Sequence, residues 1–237
     1  MKELKERKPV PKILEGIESQ FFNIKEVPET QFDILNKFDP IFNKEHLDNF
    51  PSGIDFSIVY YCRHAYINTA GYSIITKPFL DRLSKFLNDN NFKCLEIMAG
   101  KAVISKGLKD RNVNIVTTDN MSWNDKHISK GNGIWTDVEN ISAEDAVVKY
   151  NDVDVIICSW IPLYHDYTTL INNIRKHNPD VLILEIGESQ GGCTSDDTWF
   201  ENTYEDYSYS KLVNDLNEVL PSWFGIYDKL YARKVKK

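Results

Sequence analysis

The chain has 237 residues, a net charge of −7, 42% hydrophobic and 12% aromatic residues. That supply of apolar side chains is enough for a sizeable core and excludes disorder over most of the length. The acidic balance argues against a dedicated nucleic-acid binder, which needs a Lys or Arg for each phosphate it neutralises.

Basic residues gather at the two ends: Lys2, Lys5, Arg7 and Lys8, then Arg233, Lys234, Lys236 and Lys237. They read as two solvated tails. Cys62, Cys94, Cys158 and Cys193 lie far apart, with no CxxC pair and no zinc-ligand spacing. Cys94 and Cys158 sit in apolar runs and read as small buried hydrophobes. The start, MKELKERKPVPK, has no apolar stretch behind it, so it is not read as a secretory signal. The apolar stretch 153–164 is broken by Asp154 and Ser159 and is too short to span a bilayer. A reducing, cytoplasmic setting is the expectation.

Residues 1–55 read as an N-terminal extension, interrupted by Pro9, Pro11, Pro28, Pro40 and Pro51. It carries Phe21, Phe22, Phe32, Phe38, Phe42 and Phe50. A free linker would not hold so many aromatics, so the segment is expected to pack on the main domain, residues 56–237, as short helices and loops.

That domain alternates two patterns. Residues 78–90 have apolar positions three and four apart, with Pro78 suited to a first helical turn. KCLEIM (93–98) is a buried strand ending at Ala99-Gly100, 102–110 is a helix, and VNIVTT (113–118) is a β-branched strand closing at Asp119. Residues 142–150 read as a helix capped by Ser142. VDVIICS (153–159) is a buried strand, 167–177 a helix, VLILEIG (181–187) a buried strand, 210–220 a helix and 224–235 an edge strand. Strands alternating with helices of about ten residues indicate right-handed βαβ units. The expected fold is α/β: a three-layer Rossmann-like sandwich with a mostly parallel sheet and an antiparallel C-terminal edge strand.

Ligands of such sheets bind outside the carboxyl ends of the strands. Five groups stand there: Glu96 to Gly100, Asp119, the stretch Trp135-Thr136-Asp137-Val138 after a short strand-like segment, Ser159-Trp160-Ile161-Pro162-Leu163-Tyr164, and Gly187-Glu188. A small-residue turn between strand and helix lets a ligand approach the backbone and the helix N-terminus. An acid closing the second strand can accept both hydroxyls of a ribose.

Over residues 60–235 this order resembles the class I S-adenosylmethionine-dependent methyltransferases. The resemblance implies S-adenosylmethionine as cofactor, held by Glu96, Met98, Ala99 and Gly100 in the first turn. It implies Asp119 with Asn120 for the ribose, and Asp137 and Val138 for the adenine. Ser159 and Trp160 would stand where the methyl group is handed over. Arg63, upstream of the first strand, is the expected partner of the cofactor carboxylate, since its fork can bind bidentately. The departures are plain: the family turn carries two or three glycines, and here only Gly100 is kept, with Met98 and Ala102 at the other positions. In the fourth motif, Trp160 and Ile161 separate Ser159 from Pro162, which argues against the mechanism of enzymes that methylate nucleic-acid bases.

Methyl transfer is largely alignment, and a base is needed only if the acceptor must lose a proton. Tyr164 and His165 follow the fourth strand and are the candidate catalytic residues; the bland reading of His165 is a surface residue leading into a helix. In the loop 188–197, Cys193 has no histidine near it in sequence, and Asp196 and Asp197 read as helix-capping residues rather than metal ligands. The function expected is methyl transfer to a small molecule or protein side chain. The alternative is a methyltransferase-like scaffold without catalysis. A nicotinamide enzyme is disfavoured because G-x-G-x-x-G is absent after the first strand.

Overall fold

The computed structural model describes Val27, residues 63–64, 66–122, 133–163, 165–223 and 225–237. Of residues 1–55 Val27 is described, partly buried against the core; the packing expected for the rest of that segment, and the candidate Tyr164, fall outside the described residues.

The strands are β1 (Cys94–Glu96), β2 (Ile115–Asp119), β3 (Glu139–Asn140), β4 (Val155–Ser159), β5 (Leu182–Gly187), β6 (Thr203–Glu205) and β7 (Lys229–Val235), of which β1, β2, β4 and β5 come from short apolar runs. They form one sheet in the order β3-β2-β1-β4-β5-β7-β6. The pairs β1–β2, β1–β4, β2–β3 and β4–β5 are parallel, and β7 runs antiparallel to both β5 and β6. The antiparallel C-terminal strand is therefore present, and the short β6 covers its outer side.

Among the described residues the helices that cover the sheet are α1 (Lys77–Asp89), α2 (Val103–Lys109), α3 (Ala143–Lys149), α4 (Thr168–His177), α5 (Asp197–Asn202) and α6 (Ser210–Asn217). Period-two alternation in the strands sends neighbours to opposite faces. Cys94, Val155, Ile157, Leu184 and Ile186 meet Leu80, Leu83 and Leu87 of α1, Leu108 of α2 and Leu216 of α6. Leu95, Ile156, Cys158 and Ile183 meet Ala146 of α3, Leu170 and Ile174 of α4 and Trp199 of α5. Each such fully buried aliphatic side chain contributes about 1.5–3 kcal/mol, so both faces are needed to hold the three layers.

The helix starts follow their sequence signals. Thr76 accepts from Phe79 N at 3.4 Å with Pro in the first turn of α1, and Ser142 accepts from Asp145 N at 3.1 Å ahead of α3. Asp196 caps α5 through Trp199 N at 3.0 Å.

Two expectations are corrected. The third strand follows Trp135-Thr136-Asp137-Val138 instead of preceding it, because Trp135 is tied elsewhere. Its backbone N donates to Lys101 O and its indole to Thr69 O, both at 2.9 Å. Pairing with β2 begins only at Glu139. The C-terminal basic residues are not a loose tail. Arg233 is a buried residue of β7 whose Nε donates to Glu185 of β5. Glu185 also accepts from Ser195 Oγ at 2.9 Å and Trp199 Nε1 at 3.1 Å. The buried carboxylate is thus fully partnered, as a charge without water must be. Lys234 pairs with Asp206 at 3.4 Å.

Candidate functional site

Parallel strands bring their carboxyl ends to one edge of the sheet, and a cavity of about 320 Å³ opens there. Its walls are the turns after β1, β2 and β4, the start of α3 and the segment ahead of α1.

The turn after β1 keeps the backbone of a glycine-rich turn with one glycine. Met98, Gly100 and Ala102 have φ of +52°, +54° and +63°, the left-handed region that side chains other than glycine enter at about 1–2 kcal/mol each. Neighbouring strands hold it: Ile97 N donates to Ile157 O of β4 and Ala99 N to Thr118 O of β2, both at 3.0 Å. At Gly100 no atom lies within 4 Å of where a side chain would begin, so the backbone is open to a ligand.

Asp119 fastens this turn from β2. Its Oδ2 accepts from Gly100 N at 2.7 Å and its Oδ1 from Met121 N at 2.6 Å. These charge-assisted bonds fix the carboxylate. Glu96, at the end of β1, is buried and accepts from Ser105 N at 3.0 Å and from Ser105 Oγ. Burial pushes its carboxyl up to about 7, against the pull of the Ser105 bonds.

After β4, Ser159 Oγ donates to Ser73 Oγ at 3.1 Å. Trp160 has φ +52°. Its backbone N donates to Ile186 O at 2.8 Å, and its indole donates to Asp228 Oδ1 at 2.7 Å. The indole also stacks on Tyr72, with centroids 5.0 Å apart and an 11° interplanar angle. Burial is the main cause that lifts the Asp228 carboxyl to about 6, with Trp160 opposing and Glu188 adding. Glu188 is buried, which pushes its carboxyl up, but bonds from Tyr227 N (2.9 Å) and Cys193 N (2.6 Å) hold it below the usual range.

Of the residues singled out in the sequence, Glu96, Met98, Ala99 and Gly100 line the cavity, with Asp119, Asn120, Ser159, Trp160 and His165. His165 is exposed, its Nε2 3.3 Å from Glu144 Oε1 on α3. Three candidates stand apart. Asp137 is exposed and Val138 half-buried ahead of β3, and neither lines the cavity. Arg63 lies outside the lining as well; its guanidinium stands 5.1 Å over the Trp160 ring and 5.9 Å over Tyr72. Ser73, Lys101 and Glu144, none of them given a binding role from the sequence, also stand in the walls. Lys101 could have been found as the charge inside the turn; burial pushes its ammonium down. The Cys193 thiol is pushed up by burial and by Glu188, which does not suit a nucleophile. Among the described residues no three His, Cys, Asp or Glu groups come together to hold a metal, and no helix is long and apolar enough to cross a membrane.

No protein-family model matches the chain, and no curated protein matches it. Solved structures do. Magnesium protoporphyrin IX methyltransferase from Synechocystis PCC 6803, with bound SAM, is similar over 98% of this chain and 100% of its own, at 9% identity and a TM-score of 0.41. A 1,6-didemethyltoxoflavin-N1-methyltransferase from Burkholderia thailandensis, with bound S-adenosylhomocysteine, shares 14% identity over 68% of this chain and 79% of its own, TM-score 0.38. A chain from Anaeromyxobacter dehalogenans described as a type II methyltransferase shares 16% identity over 56% of this chain and 53% of its own, TM-score 0.33. The match thus spans about half of that last chain. The strand order itself, with β7 antiparallel between β5 and β6, is that of the class I S-adenosylmethionine-dependent methyltransferase fold.

Proposed function

We propose that the chain is an S-adenosylmethionine-dependent methyltransferase acting on a small molecule or a protein side chain. The observation that carries the reading is the Gly100–Asp119 bond. It locks a glycine-type turn to the acid closing β2, at the mouth of a cavity bounded by the end of β4.

The residues present suit the cofactor. Asp119 closes β2 beside Gly100, where an acid can meet ribose hydroxyls, and Gly100 leaves the backbone clear for the amino-acid part. Ser159 and Trp160 close the cavity on the side where an acceptor would enter. When bound, S-adenosylmethionine supplies an electrophilic methyl group on a sulfonium. The chain's own part is to hold the acceptor in line and to exclude water, which is where most of the rate of such a displacement arises. His165 stands exposed at the rim, its Nε2 3.3 Å from Glu144 Oε1.

Isothermal titration with S-adenosylhomocysteine tests this. The intact chain binds with a dissociation constant on the order of micromolar. Asp119→Ala abolishes binding, while Asp119→Asn, which keeps an acceptor oxygen for Gly100 N, weakens it. Circular dichroism checks that each variant is folded. A folded intact chain that does not bind overturns the reading and leaves a methyltransferase-like scaffold.

A further inference from the structure

Behind the cavity wall lies a carboxylate that the reading above does not use. Asp228 immediately precedes β7 and is 6% exposed. Its Oδ1 accepts from Trp160 Nε1, while its Oδ2 is buried with no hydrogen-bond partner among the described residues. An orphaned oxygen on a buried carboxylate is expensive to keep. The Ser73 hydroxyl lies beside this carboxyl and helps keep it ionised, without closing a hydrogen bond on Oδ2. Ser73 also lines the cavity, and its Oγ accepts from Ser159 Oγ. The Ser73 proton is therefore free to face Asp228. A path of two hydroxyls leads from the cavity to an acceptor-only oxygen.

The groups around Asp228 are Glu188 from the end of β5, Arg63 from the turn ahead of α1, and the Cys193 thiol. Glu188 opposes ionisation and Arg63 favours it, but burial outweighs both and leaves the carboxyl poised at about 6. A base with that affinity is ionised at neutral pH and still able to take a proton.

We propose that Asp228, acting through Ser73, is the proton acceptor for the methyl acceptor, and that the acceptor is a planar aromatic hydroxyl. The proposal rests on the methyl-transfer reading. An amine with a free lone pair needs no base before transfer, whereas a hydroxyl does. The ring is suggested by the wall itself. Tyr72 is 42% exposed, lines the cavity and is already stacked on Trp160. A flat acceptor extends that stack and brings its hydroxyl to the neighbouring residue, Ser73. The acceptor O–H bond breaks and its electron pair stays on the oxygen. The proton joins Ser73 Oγ as the Ser73 proton passes to Asp228 Oδ2. Asp228 later returns the proton to water.

The test uses the intact chain saturated with S-adenosylhomocysteine and 4-nitrophenol as the probe, titrated at a series of pH values below the ionisation of the dye. Binding weakens as pH falls through about 6. Asp228→Asn, which still accepts from the Trp160 indole, binds the dye about tenfold less tightly at about pH 6.5, where the dye is mostly neutral, and shows no break in the profile. Ser73→Ala, which leaves the Trp160 bond intact, loses the break as well. S-adenosylhomocysteine titration of each variant, run first, sets the saturating concentration, so that any change in cofactor affinity is separated from the change in dye binding. Failure of the intact chain to bind S-adenosylhomocysteine overturns the methyl-transfer reading. With that ligand bound, absence of dye binding, or an unchanged profile in Asp228→Asn, overturns this proposal alone.

Discussion

At the scale of single residues, the informative feature is backbone conformation at Met98 and Ala102. Both hold left-handed φ without being glycine, and both border the turn that Asp119 fastens. The strain persists because β2 and β4 over-determine the turn through the bonds from Ala99 N and Ile97 N. Magnitudes decide what a glycine would do at Ala102. Relief of left-handed strain gives about 1–2 kcal/mol. Loss of a buried methyl costs about 0.8 kcal/mol, and the freer unfolded chain costs about 0.4–1 kcal/mol. Ala102→Gly should therefore leave stability within about 1 kcal/mol of wild type by this balance. Ala146→Gly, at an equally buried position inside α3, has no strain to relieve and should cost about 2 kcal/mol. Urea unfolding of the two variants checks this; equal losses would show that Ala102 carries no strain. The departure from a glycine-rich turn was visible in the sequence. That the turn nevertheless keeps the glycine geometry was not, since the holding bonds come from Ile157 and Thr118, far along the chain.

Between elements, α1 and α2 approach so closely at Gly107 that a Cβ there would stand 2.2 Å from Leu80 Cδ1. Leu80 is itself fully buried among α1, α2 and the sheet, so it cannot swing aside freely. Alanine at position 107 improves helix propensity by about 1 kcal/mol, but overpacking of this kind costs about 1–3 kcal/mol. Gly107→Ala should thus destabilise on balance, and adding Leu80→Val should recover part of the loss. A double-mutant cycle by chemical unfolding reads this coupling, and strict additivity of the two losses would refute the close contact. Elements with a strong period or a long β-branched run were legible: α1, α3, α4, β2, β4 and β5 match the sequence reading closely. The short β3 and β6 carry no pattern of their own, and the ties of Trp135 to Lys101 and Thr69 displaced the expected third strand. The same limit hid half of the site. The turns after β1, β2 and β4 announce themselves by position, whereas Ser73 reaches the cavity wall, and Asp228 the Trp160 indole behind it, through contacts across most of the domain.

For the molecule as a whole, the two faces of the sheet differ little, but its two edges do. The cavity end holds left-handed Met98, Ala102, Met121 and Trp160 together with two carboxyls that resist ionisation, Glu96 and Asp228, whereas the left-handed residues ahead of β1 and β2 are the turn formers Asn91 and Asn112. Such a division is expected where a site is kept at the expense of stability. It has a pH consequence whose sign is fixed. Glu96 and Asp228 both have folded pKa values raised above those of the unfolded chain, to about 7 and about 6. A raised carboxyl favours the fold when protonated, so its contribution is fully present below the unfolded pKa and is lost as pH rises through the folded one. The carboxyls held below their usual range, such as Asp152 and Asp206, act only in more acid solution. Between pH 8 and pH 5.5 the Glu96 carboxyl alone should thus add about 2 kcal/mol of stability as pH falls, equivalent to a rise in Tm of about 4–8 °C for a chain of this size. Glu96→Gln keeps an acceptor for Ser105 but cannot titrate. It should be more stable than wild type at pH 8 and lose most of the difference at pH 5.5. Thermal unfolding of both proteins across that range reads the effect, and parallel curves would show that Glu96 is ionised throughout and that the β1 end of the cavity is wetter than its burial indicates.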